Sequence, residues 1–222
     1  MYFVLFISIA LLSWAVSALL DHRFKKYAKV YLPLTGREVA EKMLRDNGIY
    51  DVQVTCTSGH LTDHYDPRNK TVNLSEAVYS SNNVAAAAVA AHECGHAVQH
   101  AFSYAPLNMR SALVPVVNFA SQWVTWILLG GILMVETFPQ LLLVGIILYA
   151  LTTLFAFITL PVEINASRRA IAWLEQSGIT DYQTTPMASS ALRSAAYTYV
   201  VAALSSLGTL IYYILIFTSR RD

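Results

Sequence analysis

Four uncharged, apolar blocks constrain the fold of this chain more than any other feature of its sequence. They cover residues 1–20, 118–135, 141–160 and 197–217. Each block is about long enough to cross a lipid bilayer as a helix. The whole chain is 55% hydrophobic and only 13% charged, which is too apolar for an ordinary soluble domain. We therefore predict a mainly α, multi-pass membrane protein with four transmembrane helices and the lipid bilayer as its surroundings.

The first block also fits a second interpretation, a signal peptide that is removed by cleavage. However, it has no Lys or Arg ahead of its apolar run, and this run is longer than the apolar core of a typical signal peptide. These two features favour a retained membrane anchor.

The distribution of positive charge predicts the orientation of the spans. Of the 15 Lys and Arg residues, ten lie in residues 21–117 and three in 161–196, whereas the turn at 136–140 has none. Because cytoplasmic loops of membrane proteins are enriched in Lys and Arg, we expect both longer segments on the cytoplasmic side of the inner cell membrane. The terminal Arg220 and Arg221 run against this rule. The net charge of +1 gives no reason to expect nucleic acid as a partner.

The two cytoplasmic segments are predicted to form one small α+β part within a single domain, residues 1–222. Alternating and turn-bounded runs at 51–56, 60–65 and 70–74 indicate three strands, which we expect to form an antiparallel sheet. Capping residues, an Ala-rich run and prolines indicate where helices begin. The predicted helices start near Thr35, Val84, Pro161 and Thr184.

The pentapeptide His92-Glu93-Cys94-Gly95-His96 fits the pattern H-E-x-x-H. On a helix, positions four apart lie on one face, so both imidazoles can reach one metal ion. A zinc ion there would lower the pKa of a coordinated water to about 7, and Glu93 could take its proton. Cys94 falls on another face of the helix and is expected to be a small buried thiol. Two polar helix positions without a metal are the alternative interpretation.

A catalytic zinc ion usually has three protein ligands, so a third ligand is needed. His100 is excluded, because eight residues of helix place it about 12 Å along the axis from His92. Glu163 is the first polar residue of the segment after the third apolar block, on the same predicted side of the membrane, and we favour it. Other candidates stay open. They are Glu136, Glu175 and Asp181 downstream, and His60, Asp63, His64 and Asp66 upstream.

The extended run before the zinc motif suggests how a peptide substrate is held. In many metallopeptidases an edge strand beside the zinc helix binds the substrate backbone by strand addition. Here the run precedes one further strand and then the predicted helix, which is the corresponding chain order. We therefore expect it to bind substrate, with an ordinary hairpin as the alternative. Its residues are Leu61, Thr62, Asp63, His64 and Tyr65.

Longer motifs resemble the prokaryotic membrane-bound neutral zinc metallopeptidases of the YugP type. The resemblance covers nearly the whole chain. The segments that carry it are residues 59–68, 71–72, 74–76, 90–100, 104–107, 110–118 and 160–169. It implies a metal-dependent peptidase in which one zinc ion is bound by His92, His96 and a downstream glutamate. It also implies that Glu93 is the general base.

The layout is also similar to the wider group of membrane gluzincins, which carry a later E-x-x-A-D motif. Glu163 and Ala166 fit that motif, but Ser167 stands in place of its aspartate. An aspartate there could orient a zinc-bound histidine, and we expect Ser167 or Asn165 to take this role.

Together these features predict an integral membrane zinc endopeptidase that acts on a peptide or membrane-protein substrate. The rival hypothesis is a non-catalytic or weakly active membrane adaptor or quality-control factor that keeps a zinc site. The intact Glu93 argues against it. The sequence leaves the oligomeric state and the donor that stabilises the transition state unassigned.

Overall fold

Four long apolar helices dominate the computed structural model, which describes residues 2–219. They are α1 (Tyr2–Tyr27), α5 (Ala105–Leu133), α6 (Pro139–Gln176) and α7 (Thr184–Ser219). All four are long and apolar enough to cross a membrane, α1 over Phe6–Tyr27. The prediction of four candidate spans in a mainly helical protein is therefore confirmed. Met1, at the start of the first predicted span, and the terminal Arg220 and Arg221 lie outside the described residues.

The long helices extend past the limits predicted for the spans. Pro161 was expected to start a new helix, but it lies inside α6, so the third span and the segment that carries Glu163 form one helix of 38 residues. Pro115 likewise lies inside α5. Proline removes one helical hydrogen bond and can bend a helix, yet it is tolerated where the flanking residues favour helix and neighbouring helices support it. α5 and α6 pack closely, since a Cβ on Gly131 would lie 2.6 Å from the Cα of Leu142.

The remaining elements form a compact unit beside the long helices. They are α2 (Gly36–Asp46), β1 (Gln53–Thr57), β2 (His64–Asp66), β3 (Thr71–Ser75), α3 (Glu76–Tyr79) and α4 (Val84–Ala101). α2 starts with a reciprocal capping box, in which Thr35 and Glu38 each bond to the other's backbone N–H. Its buried face, which includes Val39 and Met43, belongs to the same core as the Ala-rich face of α4.

The sheet is mixed, so the predicted antiparallel sheet is wrong for one of its two strand pairs. The strand order is β1-β3-β2, with β1 parallel to β3 and β2 antiparallel to β3. The extended run predicted at 60–65 forms a strand only from His64. Gly59 and Leu61 have positive φ values of 108° and 59°, which end the extended conformation and turn the chain. This turn lets the chain cross to the far side of β3, which leaves β2 as an edge strand.

α4 is a buried central helix, as its Ala-rich sequence predicts. Asn83 caps it by accepting a hydrogen bond from the backbone N–H of Ala86 at 2.9 Å. α4 also lies very close to α6, because a Cβ added to Gly95 would be 2.6 Å from the carbonyl oxygen of Ala166. Since Gly95 lies between Glu93 and His96, this contact fixes how the motif faces α6.

We predict that Gly95→Ala separates α4 from α6 and disrupts the motif. The added methyl group would meet backbone atoms, which cannot rotate away, so we expect a loss of about 1–3 kcal/mol in the free energy of unfolding. Thermal unfolding and zinc content of the purified protein measure the effect. Gly130→Ala is the matched control, since its Cβ would meet only the flexible Leu141 side chain at 3.4 Å. Equal behaviour of the two variants would contradict the proposed role of the close contact.

Candidate metal centre

Three metal-binding side chains converge where α4 faces α6. Glu163 Oε2 lies 3.3 Å from His92 Nε2 and 3.5 Å from His96 Nε2. One ligand atom from each residue lies within 4.8 Å of the other two. Ligands that are about 2.0–2.1 Å from a tetrahedral zinc ion lie about 3.3–3.4 Å apart. The two distances from Glu163 Oε2 therefore match those between ligands of a tetrahedral zinc ion, and all three ligand atoms are close enough to share one ion.

The environment of Glu163 also fits a metal ligand. The residue is only 3% exposed, and within residues 2–219 its buried Oε2 atom has no hydrogen-bond partner. Removing a carboxylate from water without a partner is costly. A cation placed between the two imidazoles and this oxygen would remove that cost. Two imidazoles and one carboxylate are a usual set of protein ligands for catalytic zinc.

Each histidine is oriented through its second ring nitrogen. His92 Nδ1 hydrogen-bonds with Ser167 Oγ at 3.1 Å, and His96 Nδ1 with Gln99 Oε1 at 3.0 Å. Gln99 is held in turn, because its amide nitrogen donates to the Val162 carbonyl at 2.8 Å and to Asn165 Oδ1 at 3.0 Å. Gln99 therefore accepts from His96, which leaves the lone pair on Nε2 free for a metal.

The two residues predicted to orient a histidine, Ser167 and Asn165, differ in what they contact. Ser167 contacts a predicted zinc ligand directly, whereas Asn165 acts on His96 only through Gln99. Sequence reasoning missed Gln99. Its spacing of three residues from His96 on one helix was available, but a glutamine with 0% exposure is unusual and cannot be recognised without the fold.

Glu93 lies in the same cleft but does not belong to the cluster of ligands. It is 9% exposed, and its Oε2 atom accepts a hydrogen bond from the backbone N–H of Tyr65 at 3.1 Å. This bond connects the edge strand β2 to the zinc motif. The same hydrogen bond holds the Glu93 carboxylate in the cleft, where the carboxylate can accept a proton from a group bound beside it.

Burial and nearby negative charge shift the pKa of His96 in opposite directions but shift the pKa of the Cys94 thiol in the same direction. Burial lowers the pKa of His96, but the neighbouring carboxylates of Glu163 and Glu93 outweigh it, so the net shift is upward. Burial raises the pKa of the Cys94 thiol well above its usual value. The Cys94 thiol is fully buried and donates to the Ala40 carbonyl, as expected of a thiol on another face of the helix.

A cleft of about 560 Å³ opens onto the three candidate ligands. Of the residues predicted to bind substrate, Asp63, His64 and Tyr65 line this cleft, whereas Leu61 and Thr62 lie outside it. The Asp63 carboxylate accepts hydrogen bonds from the backbone N–H and hydroxyl group of Ser75, so its role is to fix the chain before β2.

The other candidate ligands named from the sequence are not part of the cluster. Among the described residues, only His92, His96 and Glu163 bring three His, Cys, Asp or Glu ligand atoms within 4.8 Å of one another. His100 hydrogen-bonds with the Tyr65 hydroxyl group at 2.9 Å, and Asp66 accepts from the backbone of the turn that follows β2.

Arg110 and Tyr199 are two further cleft residues that sequence reasoning did not assign. Arg110 Nη1 lies 3.6 Å from Glu163 Oε1, and its buried Nε atom has no hydrogen-bond partner in the part of the chain that the structure describes. Tyr199 of α7 lines the cleft on another side. Neither residue lies near the zinc motif in the sequence, so only the packing of α5 and α7 against the site reveals them.

The fold and the cluster together define a helical protein with four candidate membrane spans and a His/His/Glu site of the kind that binds zinc. Residues 2–218 match the family described as "Putative neutral zinc metallopeptidase", and the chain belongs to this family. It is also 44% identical over 201 residues to the "Putative membrane protease YugP" of Bacillus subtilis (strain 168). This match covers 90% of the chain and 88% of the relative. No solved structure matches the chain.

We predict that Glu163→Ala removes the third metal ligand. Losing an anionic ligand from a three-ligand site should lower zinc affinity by at least about 100-fold, because even residues that only orient ligands contribute 10- to 100-fold. Zinc content after dialysis, and competition with a fluorescent chelator, measure this effect. Glu175→Ala, at an exposed position near the end of α6, is the matched control. Equal zinc content in both variants would show that another residue is the third ligand.

Proposed function

We propose that the protein is a zinc-dependent endopeptidase of the cell membrane whose active site faces the cytoplasm. The observation that carries this proposal is the buried, unpartnered Glu163 oxygen between two histidines, with Glu93 in the same cleft. Membership of a family named for neutral zinc metallopeptidases supports it.

In the proposed mechanism, His92, His96 and Glu163 hold one zinc ion. Zinc supplies Lewis-acid chemistry, in that it polarises a carbonyl group and lowers the pKa of water. Glu93 takes a proton from the attacking water and delivers it to the leaving amine. Its hydrogen bond from the Tyr65 N–H holds the carboxylate in the cleft, so the base is already in place when a substrate enters.

Arg110 and Tyr199 are the proposed donors to the oxyanion that develops on the scissile carbonyl. Both line the cleft, and the unpartnered Nε atom of Arg110 has donor capacity that its contact with Glu163 leaves unused. A donor already positioned at a dry site stabilises developing charge without reorganisation. This assigns to α5 and α7 a chemical role beside their role as spans.

The proposed substrate position is the outer edge of β2. β2 pairs only with β3 among the described strands, and its Tyr65 N–H points to Glu93. Because the Tyr65 N–H is bonded to Glu93, an extended peptide would pair with the other backbone groups of this edge, with its own backbone beside the base. Within the predicted substrate-binding run, His64 and Tyr65 belong to the edge strand itself, and Leu61, Thr62 and Asp63 lead into it.

The proposed topology places the compact unit at the cytoplasmic face of the inner membrane. It rests on the ten Lys and Arg residues between the first two candidate spans and on their absence from residues 136–140. The relative from Bacillus subtilis is described as a membrane protease, which supports a membrane location, whereas the side of the membrane rests on the charge distribution alone.

The central test of the proposed function is Glu93→Gln. Loss of the general base should lower kcat about 10²- to 10⁴-fold, while zinc content stays unchanged because Glu93 is not in the ligand cluster. Cleavage of casein by protein purified in lipid nanodiscs provides the measurement. Glu76→Gln, at the start of α3, is a control outside the cleft. Zinc binding by wild type without cleavage of any substrate would favour the adaptor hypothesis instead.

The role of Arg110 is tested by Arg110→Gln. If Arg110 stabilises the oxyanion, kcat should fall about 10²- to 10³-fold with little change in KM, and zinc content should remain as in wild type. Arg168→Gln, at an exposed position of α6 outside the cleft, is the matched control. A change in KM alone would assign Arg110 to substrate binding.

The topology is tested by reporter fusions. A periplasmic-type reporter, alkaline phosphatase, should be active when fused after Phe138 and inactive when fused after Gly48. A cytoplasmic reporter should give the opposite pattern. Cytoplasmic signals at both positions would overturn the proposed arrangement of spans.

A further inference from the structure

Two further cavities adjoin the metal-site cleft on the side of α1. A chamber of about 170 Å³ shares His92, Glu93 and Glu163 with the cleft. This chamber in turn shares walls with a groove of about 540 Å³ between α1 and α4. The cleft, the chamber and the groove therefore form a series, and the candidate metal ligands lie where the first two meet.

The walls shared by the chamber and the groove are mainly apolar. Leu20 and Phe24 lie one turn apart on one face of α1, Val89 lies one turn before Glu93 on α4, and Leu61 comes from the loop before β2. Asp63 is the polar exception, and its carboxylate is already engaged by Ser75.

The cleft has a more polar lining than the chamber and the groove. Its lining includes Arg68, Arg110 and His100, none of which lines either of the other two cavities. A bound chain would therefore meet different surroundings in the cleft and in the groove. Such asymmetry is what a site needs in order to select the residues on one side of a bond.

Leu61, on the apolar side, has both an exposed side chain and an unfavourable backbone conformation. Its side chain is 66% exposed, and its φ of 59° lies in the left-handed region that residues other than glycine rarely adopt. The loop that holds it is fixed by a hydrogen bond from the Thr62 hydroxyl group to the Ser58 carbonyl at 3.2 Å. Backbone strain of this kind is concentrated at binding sites. An apolar ligand in the groove would bury the exposed Leu61 side chain.

We propose that the groove lined by Leu20, Phe24, Leu61 and Val89, here called the α1 groove, is a substrate subsite. It binds apolar side chains of an extended polypeptide on one side of the scissile bond. The substrate class is therefore polypeptides with apolar residues next to the bond that is cut. This inference rests on the proposed peptidase function and adds to it the residues that set specificity.

A polypeptide fits the series of cavities better than a lipid acyl chain does. Residues 60–65 border all three cavities, and they lead into β2, whose outer edge can hydrogen-bond with an extended backbone. An acyl chain has no groups for these bonds. The chamber also connects the groove to Glu93, so an occupant of the groove can extend to the proposed base. A peptide must reach Glu93 in order to be cleaved, whereas a lipid has no such requirement.

The test measures peptide binding separately from cleavage. Zinc-loaded Glu93→Gln protein in lipid nanodiscs is titrated with two fluorescent decapeptides, one with Leu and Phe at its centre and one with Ser and Asn there. Val89→Thr and Leu61→Asn make the α1 groove polar, and Asn tolerates the left-handed conformation at position 61. The matched controls are Val144→Thr and Leu133→Asn, at exposed positions outside the three cavities.

We expect the apolar peptide to bind at least about 10-fold more tightly than the polar one, since one apolar contact in a pocket is worth about 10-fold or more. The two groove variants should remove most of this preference, and the controls should keep it. In the background that retains Glu93, mass spectrometry of casein fragments should show apolar residues enriched on one side of the cleaved bonds, with less enrichment in the groove variants.

Two results would overturn the proposal. One is equal binding of the two peptides, which would assign the groove to lipid or leave it without an occupant. The other is an apolar preference that the groove variants leave unchanged. The proposed peptidase function would survive either result if wild type cleaves casein. Conversely, apolar selectivity in binding without any cleavage would reject the peptidase and leave the groove as a peptide-binding site.

Discussion

The rest of the site depends on the close contact between α4 and α6 at Gly95. With no side chain at this position, the backbone of α4 lies against the Ala166 carbonyl, and His92 and His96 face Glu163 of α6. This is how a carboxylate only 3% exposed comes to lie within 3.5 Å of two imidazole nitrogens. An anionic oxygen in such a place is costly unless a cation joins it. The packing of two helices thus produces a possible metal site.

α6 connects this site to the long apolar helices. Because it continues through Pro161, the apolar stretch and the segment with Glu163 and Ser167 are a single helix. Movement or tilt of α6 along its apolar part would therefore be transmitted to a ligand and to the partner of His92. A helix is also a more rigid support for such groups than a loop would be. If α6 spans the membrane as proposed, the metal site is held at a fixed depth relative to the bilayer.

Local signals in the sequence predicted much of this arrangement. The apolar blocks gave the four long helices, and the pattern at 92–96 together with the position of Glu163 gave the cluster that the structure brings together. Ser167 was expected to orient a histidine and contacts His92. What failed were features that depend on long-range contacts. β1 pairs in parallel with β3 because the chain crosses over between them through residues 58–70. Pro161 does not begin a new helix, because the residues on both sides of it continue α6. Gln99, Arg110 and Tyr199 gain their positions only from packing between helices distant in sequence.

The residues that orient the two histidines are neutral, and this has a chemical consequence. Ser167 and Gln99 provide hydrogen bonds, whereas the E-x-x-A-D motif that the sequence resembles has an aspartate at the position of Ser167. A carboxylate partner raises the basicity of a ligating imidazole, and a neutral partner does so less. Arg110, which lies against Glu163, further offsets the negative charge of the third ligand. A zinc ion held here would keep more of its positive charge than one surrounded by carboxylates. Such a centre favours polarisation of a carbonyl group, which is the step that peptide hydrolysis requires and a purely structural zinc site does not.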